Sequence, residues 1–436
     1  GLLDVDNSEY AGHEGYFYNI KRATDPKWSR LILFIGEGGT FLQTGFEDVI
    51  YVAGFMGSKY NKSVGLFSAK QGSFEFEGHI TAPAGDASAV LSTGHLGRAG
   101  HVAFWHHSTR QLVMFGGQNN GSAGQSKTKT VMNDVLLYDI DKLRVNDQTV
   151  FSDIVIKKRI NHVGFLLDDT IYSIGGQDKH GRALDEFIEI DVHTKRMCSA
   201  TVESGVVPKI YSTAIAPVFY LSKMGADGQL NLKSIAGEIN WGEALDLIKH
   251  EGFYMFGGRD EHGRALNSLY VFSVAQQPVS GSAVFTVTQP KMRGQAPPAR
   301  HGHTLNYVPK LGIVVIYGGR NDARGSDPIL GDLWLITLAN MEYHRVLVGG
   351  FSLPNPRYCH SSFVYGSQLM ICGGLCGGFK YLKDIEMIEL DPAIVDRENP
   401  RLNLLERELA AGGPNAHKAA LAALVEKRGG KCHPNK

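Results

Sequence analysis

Arg300–Asp332, RHGHTLNYVPKLGIVVIYGGRNDARGSDPILGD, holds the pattern on which most of the chain is built. A cation opens it, His303 follows three positions on, an apolar run ends in Gly318-Gly319, and a polar loop closes on Asp332 before the next apolar run. Short apolar segments divided by glycine-rich turns read as β-strands. Five further diglycines follow apolar runs: Gly38-Gly39, Gly116-Gly117, Gly175-Gly176, Gly257-Gly258 and Gly373-Gly374. Counting back from them finds His13, His101, His162 and His360, with Ser212 in that place in the fourth copy. The interval to the diglycine is 15, 13, 15 and 13 residues in the second, third, fifth and sixth copies. At 25 and 45 residues, the first and fourth copies are expected to carry insertions.

A third strand follows each diglycine: EDVIYVAG, NDVLLYDI, DEFIEIDV, NSLYVFSV, GDLWLITL and KDIEMIEL. Asp48, Asp134, Glu186, Asp332 and Asp384 stand before the apolar cores of these strands, and Ser268 does so in the fourth copy. A weaker fourth strand, such as SAVFTVTQ or YHRVLVGG, completes a unit of four. Four short strands per repeat make a propeller blade. Glycine suits the end of the second strand because it takes positive φ at little cost and leaves room for the neighbouring blade. One blade cannot bury its own faces, so the copies must close into a ring.

These residues resemble the Kelch-repeat family over residues 1–392. The resemblance implies an all-β fold, a six-bladed Kelch β-propeller. Leu2–Val5 is expected to serve as the outer strand of the sixth blade, so that an N-terminal strand closes the ring and removes an open edge. Residues 219–251 interrupt the fourth copy and include GEALDLIKH, read as a short helix. Residues 393–436 read as a helical C-terminal extension, with Asn415 as a cap and Gly429-Gly430 as a stop.

Three positions before each opening residue stand Tyr10, Arg98, Arg159, Lys209, Arg300 and Arg357. Equivalent positions in a ring converge at one mouth, so these cations either form a basic funnel or pair internally with neighbouring acids and carbonyls. The resemblance implies that loops after the diglycines line a partner-binding mouth, which adds Gln118, Gln177, Arg259, Arg320, Asn321 and Arg324. Two near-identical turns, DKHGRAL at 178–184 and DEHGRAL at 260–266, add Arg182 and Arg264. The recurring histidines read as structural, and His106 with His107 as solvated turn residues.

The 44 basic and 44 acidic residues cancel, which argues against a polyanion-coating protein and against nucleic acid as the ligand class. Cys198, Cys359, Cys372, Cys376 and Cys432 are too irregular for a disulfide framework, which favours a reducing, intracellular compartment. The expected location is cytoplasmic, or organellar after removal of a targeting peptide ahead of Gly1. No apolar run of membrane-spanning length is present. P-loop, GxSxG and paired CxxC motifs are missing, and neither a cofactor nor a metal is expected. Glu243, Asp246 and His250 resemble the iron ligands of nitrile-specifier propellers, but their spacing departs from that pattern.

The expected function is that of a non-catalytic protein–protein interaction scaffold, a structural or adaptor subunit of a larger assembly. It would hold partners, including an acidic segment, at the basic mouth and through loops and tail. The alternative is a small-molecule enzyme of the Kelch mutarotase type, binding an acidic sugar at the same mouth.

Overall fold

The computed structural model describes the strands between residues 17 and 79, and residues 98–390 apart from 107–108, 120–129, 140, 143, 153–154, 226–229, 238–247, 351–354 and 383–384. The expected helices of the C-terminal extension, the strand Leu2–Val5, Tyr10, His13, Asp384 and the proposed ligands Glu243 and Asp246 all lie outside the described residues.

From the second copy onward, the second strand is mostly apolar and lies buried between the first and third. Leu112 to Phe115, Phe253 to Phe256 and Leu369 to Ile371 are all fully buried. Such strands must have sheets packed on both sides, and the sheets supply each other with that cover. Thr40–Gln43, Asp48–Val52, Ser63–Ser68 and Ser73–His79 pair in that order to make the first sheet. Val102–His106, Gln111–Phe115, Asp134–Asp139 and Arg144–Val150 make the second. The third holds Val163–Leu167, Thr170–Ile174, Phe187–Asp191 and Met197–Ser199. The fourth runs from Ala214–Val218 through Gly252–Phe256 and Leu269–Gln276 to Ala283–Thr288, with Val202–Ser204 added at its edge in parallel.

The last large sheet has eight strands. One half is Thr304–Val308, Ile313–Arg320, Ile329–Thr337 and Glu342–Gly350. The other is Ser361–Tyr365, Gln368–Cys372, Ile385–Glu389 and Phe17–Arg22. Five large sheets are therefore distinct among the described residues, rather than the six separate blades expected. Their innermost strands neighbour one another in a closed circuit, from Thr40–Gln43 through Val102–His106 and onward to Ser361–Tyr365 and back. The fold is a β-propeller.

Two expectations about the first copy change. The edge position in the last sheet, assigned to Leu2–Val5, is filled by Phe17–Arg22, which runs antiparallel to Ile385–Glu389 and parallel to Glu342–Gly350. That parallel pairing is what fuses two halves into one sheet. The first sheet consequently starts later in the chain than the diglycine pattern implied. Asp48–Val52 is its second strand and not a third, and Gly38-Gly39 precedes the innermost strand instead of ending the second. An apolar run before a diglycine is a local pattern, whereas strand rank depends on non-local pairing, and here the pairing overrides it.

The insertion leaves the turn between the first and second strands of the fourth sheet, as expected, but its visible helix is Leu232–Ala236. Asn231 caps it by accepting from the Ser234 N–H at 2.8 Å. The expected helix falls mostly on residues outside the described set. The insertion packs across both neighbours. Leu232 N–H donates to the Asp168 carboxylate of the third sheet at 3.3 Å, and Lys249 N–H to the Leu338 carbonyl after the fifth copy's third strand at 3.1 Å. Among the described residues no helix is long and apolar enough to cross a membrane.

Both glycines of each described diglycine take positive φ, near +63° and +105° at Gly318-Gly319. A Cβ on Gly318 would sit 2.6 Å from the Arg357 carbonyl oxygen, and one on Gly319 2.9 Å from the His303 Cβ. Gly181 also has positive φ, +78°, yet nothing lies within 4 Å of its added Cβ. Gly181→Ala is expected to lower unfolding free energy by about 1–2 kcal/mol through backbone strain alone. Gly318→Ala should cost clearly more, because close approach adds to strain; equal losses in denaturant melts would show that close packing at the diglycine is unimportant.

Candidate partner-binding mouth

The cation opening each copy does not point into a funnel. Arg98, Arg159, Arg300 and Arg357 have 0% exposed side chains. Arg98 donates in bidentate fashion to Asp134, at 2.8 and 3.0 Å, and to the Gly116 carbonyl at 3.0 Å. Arg300 does the same with Asp332, at 2.8 Å twice, and with the Gly318 carbonyl at 2.9 Å. Arg159 pairs with Glu186 at 2.5 Å. Arg357 donates to the Gly373 carbonyl at 2.9 Å and pairs with Glu386 at 3.1 Å. Glu386, two residues beyond the expected Asp384, takes the acid's place here. Charge-assisted, paired donors satisfy guanidinium groups that burial would otherwise penalise heavily. The four arginines are therefore removed from the partner-binding set, and with them the carboxylate ligands on which the sugar-acid enzyme reading relied.

The fourth copy is one residue out of the expected frame. Gly176 N–H donates to the Ile210 carbonyl at 2.9 Å, as Gly117, Gly258 and Gly319 donate to Arg159, Arg300 and Arg357. Ile210 and Thr213 thus replace Lys209 and Ser212 as the equivalents of the arginine and histidine. The third-strand acid is replaced by Ser268, whose carbonyl accepts from Gly257 as Asp134 accepts from Gly116. Cation and anion have been lost together, leaving no orphan charge in the core. Lys209 is instead exposed and bonds Glu261 at 3.0 Å.

The histidines lie between sheets. The His162 ring meets Phe115 edge-on at 5.3 Å between centroids, His303 meets Phe256 at 5.6 Å, and His360 meets Tyr317 at 5.4 Å. Burial, followed by the charge of the adjacent arginine, lowers the pKa of His101 and of His360 to about 3, and holds His162 and His303 well below the usual imidazole value. These rings are neutral in the folded protein and titrate freely once it unfolds.

Above this layer, the next residues form the rim. Ala99, Ile160, Tyr211, His301 and Tyr358 bridge to Gln118, Gln177, Arg259, Arg320 and Leu375 respectively. The following residues, Gly100, Asn161, Ser212, Gly302 and Cys359, all have positive φ and form a hydrogen-bonded collar. The last four N–H groups donate to the preceding copy's carbonyl: Asn161 to Gly100 at 2.8 Å, Ser212 to Asn161 at 2.8 Å, Gly302 to Ser212 at 3.0 Å and Cys359 to Gly302 at 2.7 Å. Cys359 is reached by solvent but ringed by protein, and burial pushes its thiol up to about 11, too high for ready thiolate chemistry.

The rim is asymmetric. Gln177 is occupied by its own turn, donating to the Gly181 carbonyl at 3.0 Å. Arg182 and Arg264 each fold back on Asp178 and Asp260, with Nε to carboxylate at 2.8 Å, although their side chains remain 74% exposed. By contrast Arg259 and Arg320 both converge on Asp322, with the Arg320 bond at 2.5 Å. The ring of His301 approaches the same carboxylate at 3.3 Å. The Arg320 guanidinium lies 5.4 Å over the Tyr358 ring, a cation–π distance, and donates to the Tyr358 hydroxyl at 3.5 Å. Burial and then Arg259 lower the His301 pKa to about 4, so two guanidinium groups face one carboxylate and the cluster is net positive. Asn321 caps the adjoining turn through Ala323 N–H at 3.1 Å, and Arg324 on that turn is exposed. The contributions of His301, Asp322 and Tyr358 were missed in the sequence because they occupy positions where the copies differ.

The profile described as the KLHDC2/KLHL20/DRC7 Kelch-repeats domain matches residues 242–399. Kelch domain-containing protein 3 of Homo sapiens is 26% identical over 222 residues, 51% of this chain and 50% of that protein; the Bos taurus protein of the same name is 25% identical over 225 residues. Tip elongation aberrant protein 3 of Schizosaccharomyces pombe is 29% identical over 177 residues, 40% of this chain and 14% of that protein. The matched region thus spans about half the length of the first of these relatives.

Two measurements check the layer beneath the mouth. Arg98→Ile should destabilise the fold by about 3–5 kcal/mol by stranding buried Asp134, while Arg98→Ile with Asp134→Ser, copying the fourth repeat, should recover part of that loss. A double variant no better than the single would break the pairing argument. For the histidines, the folded pKa lies below the unfolded value of 6.5, so their contribution is complete above pH 6.5 and is lost as pH falls from there toward about 3. Each can steepen the loss by up to about 1.4 kcal/mol per pH unit. Denaturant melts should therefore show stability falling between pH 7.5 and 5, with a shallower fall in His303→Gln; a flat wild-type profile contradicts burial of neutral rings.

Proposed function

The repeat is the Kelch repeat, and we propose that the chain is a six-bladed, non-catalytic platform that holds a protein segment at the rim formed by its fourth to sixth copies. The six-blade count treats the eight-stranded sheet as two blades welded at their outer edges by the parallel pairing of Phe17–Arg22 with Glu342–Gly350. The observation that carries the binding reading is the convergence of Arg259 and Arg320 on Asp322, beside Tyr358 and His301.

In the unbound protein Asp322 holds both guanidinium groups in place. An incoming carboxylate can take over part of that pairing, while Tyr358 offers an aromatic surface beside it. Recognition of an acidic segment follows from the excess positive charge and from the planar donor geometry of arginine. Asn321 and Arg324 on the adjoining turn, with Lys209, Arg182 and Arg264 on other turns, would serve as exposed or half-exposed contacts that set orientation more than affinity. An adaptor role in a larger assembly, in an intracellular compartment, is the setting that suits such a rim.

The test is partner recovery from the source cells with wild type and with Arg259→Glu plus Arg320→Glu. The double variant should lose its acidic partner, with a melting temperature close to wild type because both side chains are partly exposed. Salt should weaken wild-type binding, since exposed charge pairs are screened. Undiminished recovery by the double variant would sink the rim as the interface.

A further inference from the structure

On the face opposite the rim, three side chains from two sheets come together. His106 ends the innermost strand of the second sheet, Asp169 sits in the turn between Val163–Leu167 and Thr170–Ile174, and His193 follows the third strand Phe187–Asp191. One donor atom from each lies within 4.8 Å of the other two. His106 Nε2 touches one Asp169 oxygen, and His193 Nε2 is 3.4 Å from the other.

His106 has partners at both ring nitrogens, and Nε2 is the one that faces the carboxylate. Its Nδ1 is 2.6 Å from the Thr109 hydroxyl oxygen. That hydroxyl also lies 3.2 Å from the Gln111 side-chain oxygen; when it donates there it accepts from Nδ1, which then carries the hydrogen and leaves the Nε2 lone pair for a ligand. In that tautomer Nε2 and the Asp169 oxygen are both acceptors, and a cation between them satisfies the pair. A proton satisfies the pair alone. A metal ion also draws in the third ligand atom, His193 Nε2, which already faces the other Asp169 oxygen.

We propose that His106, Asp169 and His193 form a Zn²⁺-class metal site pinning the second and third blades together at the face away from the partner-binding rim. Two imidazoles and one carboxylate suit zinc, with water completing a tetrahedron. Thr109 supplies the outer hydrogen bond that such histidines use to set tautomer and ring orientation. The turns are already anchored. Val192 N–H donates to the Asp169 carbonyl at 2.8 Å, and the Asp191 carboxylate accepts from His193 N–H at 3.0 Å. Asp169 and His193 are half exposed, at 50% and 51%, so the short His106–Asp169 contact can open to admit the ion without disturbing the core.

The experiment is titration of the full chain with Zn²⁺ against a competing chromophoric chelator, with Co²⁺ as a spectroscopic substitute. One equivalent should bind at micromolar or tighter affinity and raise the melting temperature. His193→Gln and Asp169→Asn, both on the surface, should each weaken binding at least tenfold. Thr109→Val should weaken it about 10- to 100-fold while leaving all three ligands in place. Co²⁺ should give the strong visible bands of a four-coordinate site. No binding by wild type, unchanged affinity in His193→Gln, or a thiolate-to-cobalt charge-transfer band placing the ion at a cysteine would each overturn the proposal.

Discussion

The buried arginine at the start of four of the innermost strands is the node on which the ring depends. Its side chain ties three parts of its own sheet: the strand it precedes, the first glycine carbonyl at the end of the second strand, and the acid of the third. Its backbone carbonyl accepts from the second glycine of the preceding sheet. One residue therefore fixes strands within a sheet and sheet against sheet. The diglycine is required by the same geometry, because a Cβ at its first position would strike that carbonyl.

The fourth copy separates the two halves of this device. Ile210 keeps the backbone bond to Gly176 and gives up the charged one, and Ser268 has replaced the acid. Removing one member of a buried ion pair is costly, whereas replacing both by less polar groups is close to neutral. The ring consequently needs its backbone circuit everywhere, but tolerates an apolar substitute for the pair. That tolerance is found in the copy that also accepts a long insertion between its first and second strands, where Leu232 and Ile235 add buried surface against the neighbouring sheet.

Most of the fold was legible because its requirements are local and repeated: apolar runs, paired glycines with positive φ, and an acid at a constant place. The first sheet was misframed because Gly38-Gly39 satisfies the local pattern, whereas Phe17–Arg22 finds its partners at the far end of the chain. The site was legible only in outline. Repetition pointed to Arg98, Arg159, Arg300 and Arg357, and repetition is what a packing role produces. His301 and Asp322 have no counterparts of the same type at their positions, and Tyr358 shares its type with Tyr211 alone, so counting equivalent positions passed over them. Lys209 was selected by a one-residue slip that only the hydrogen bond from Gly176 to Ile210 reveals.

Repetition and function thus pull in opposite directions in this ring. A residue present in every copy answers a demand that every copy shares, and that demand is closure. A residue present once is free to vary with a ligand. With 44 basic and 44 acidic residues, net charge carries little information, and what counts is which charges closure has already consumed. Four arginines are spent inside on acids of their own sheets. Arg259 and Arg320 share a single carboxylate at the surface, and His106, Asp169 and His193 gather three ligand atoms on the opposite face. Both places break the symmetry of the repeat, and a ring that closes by symmetry has no internal use for either.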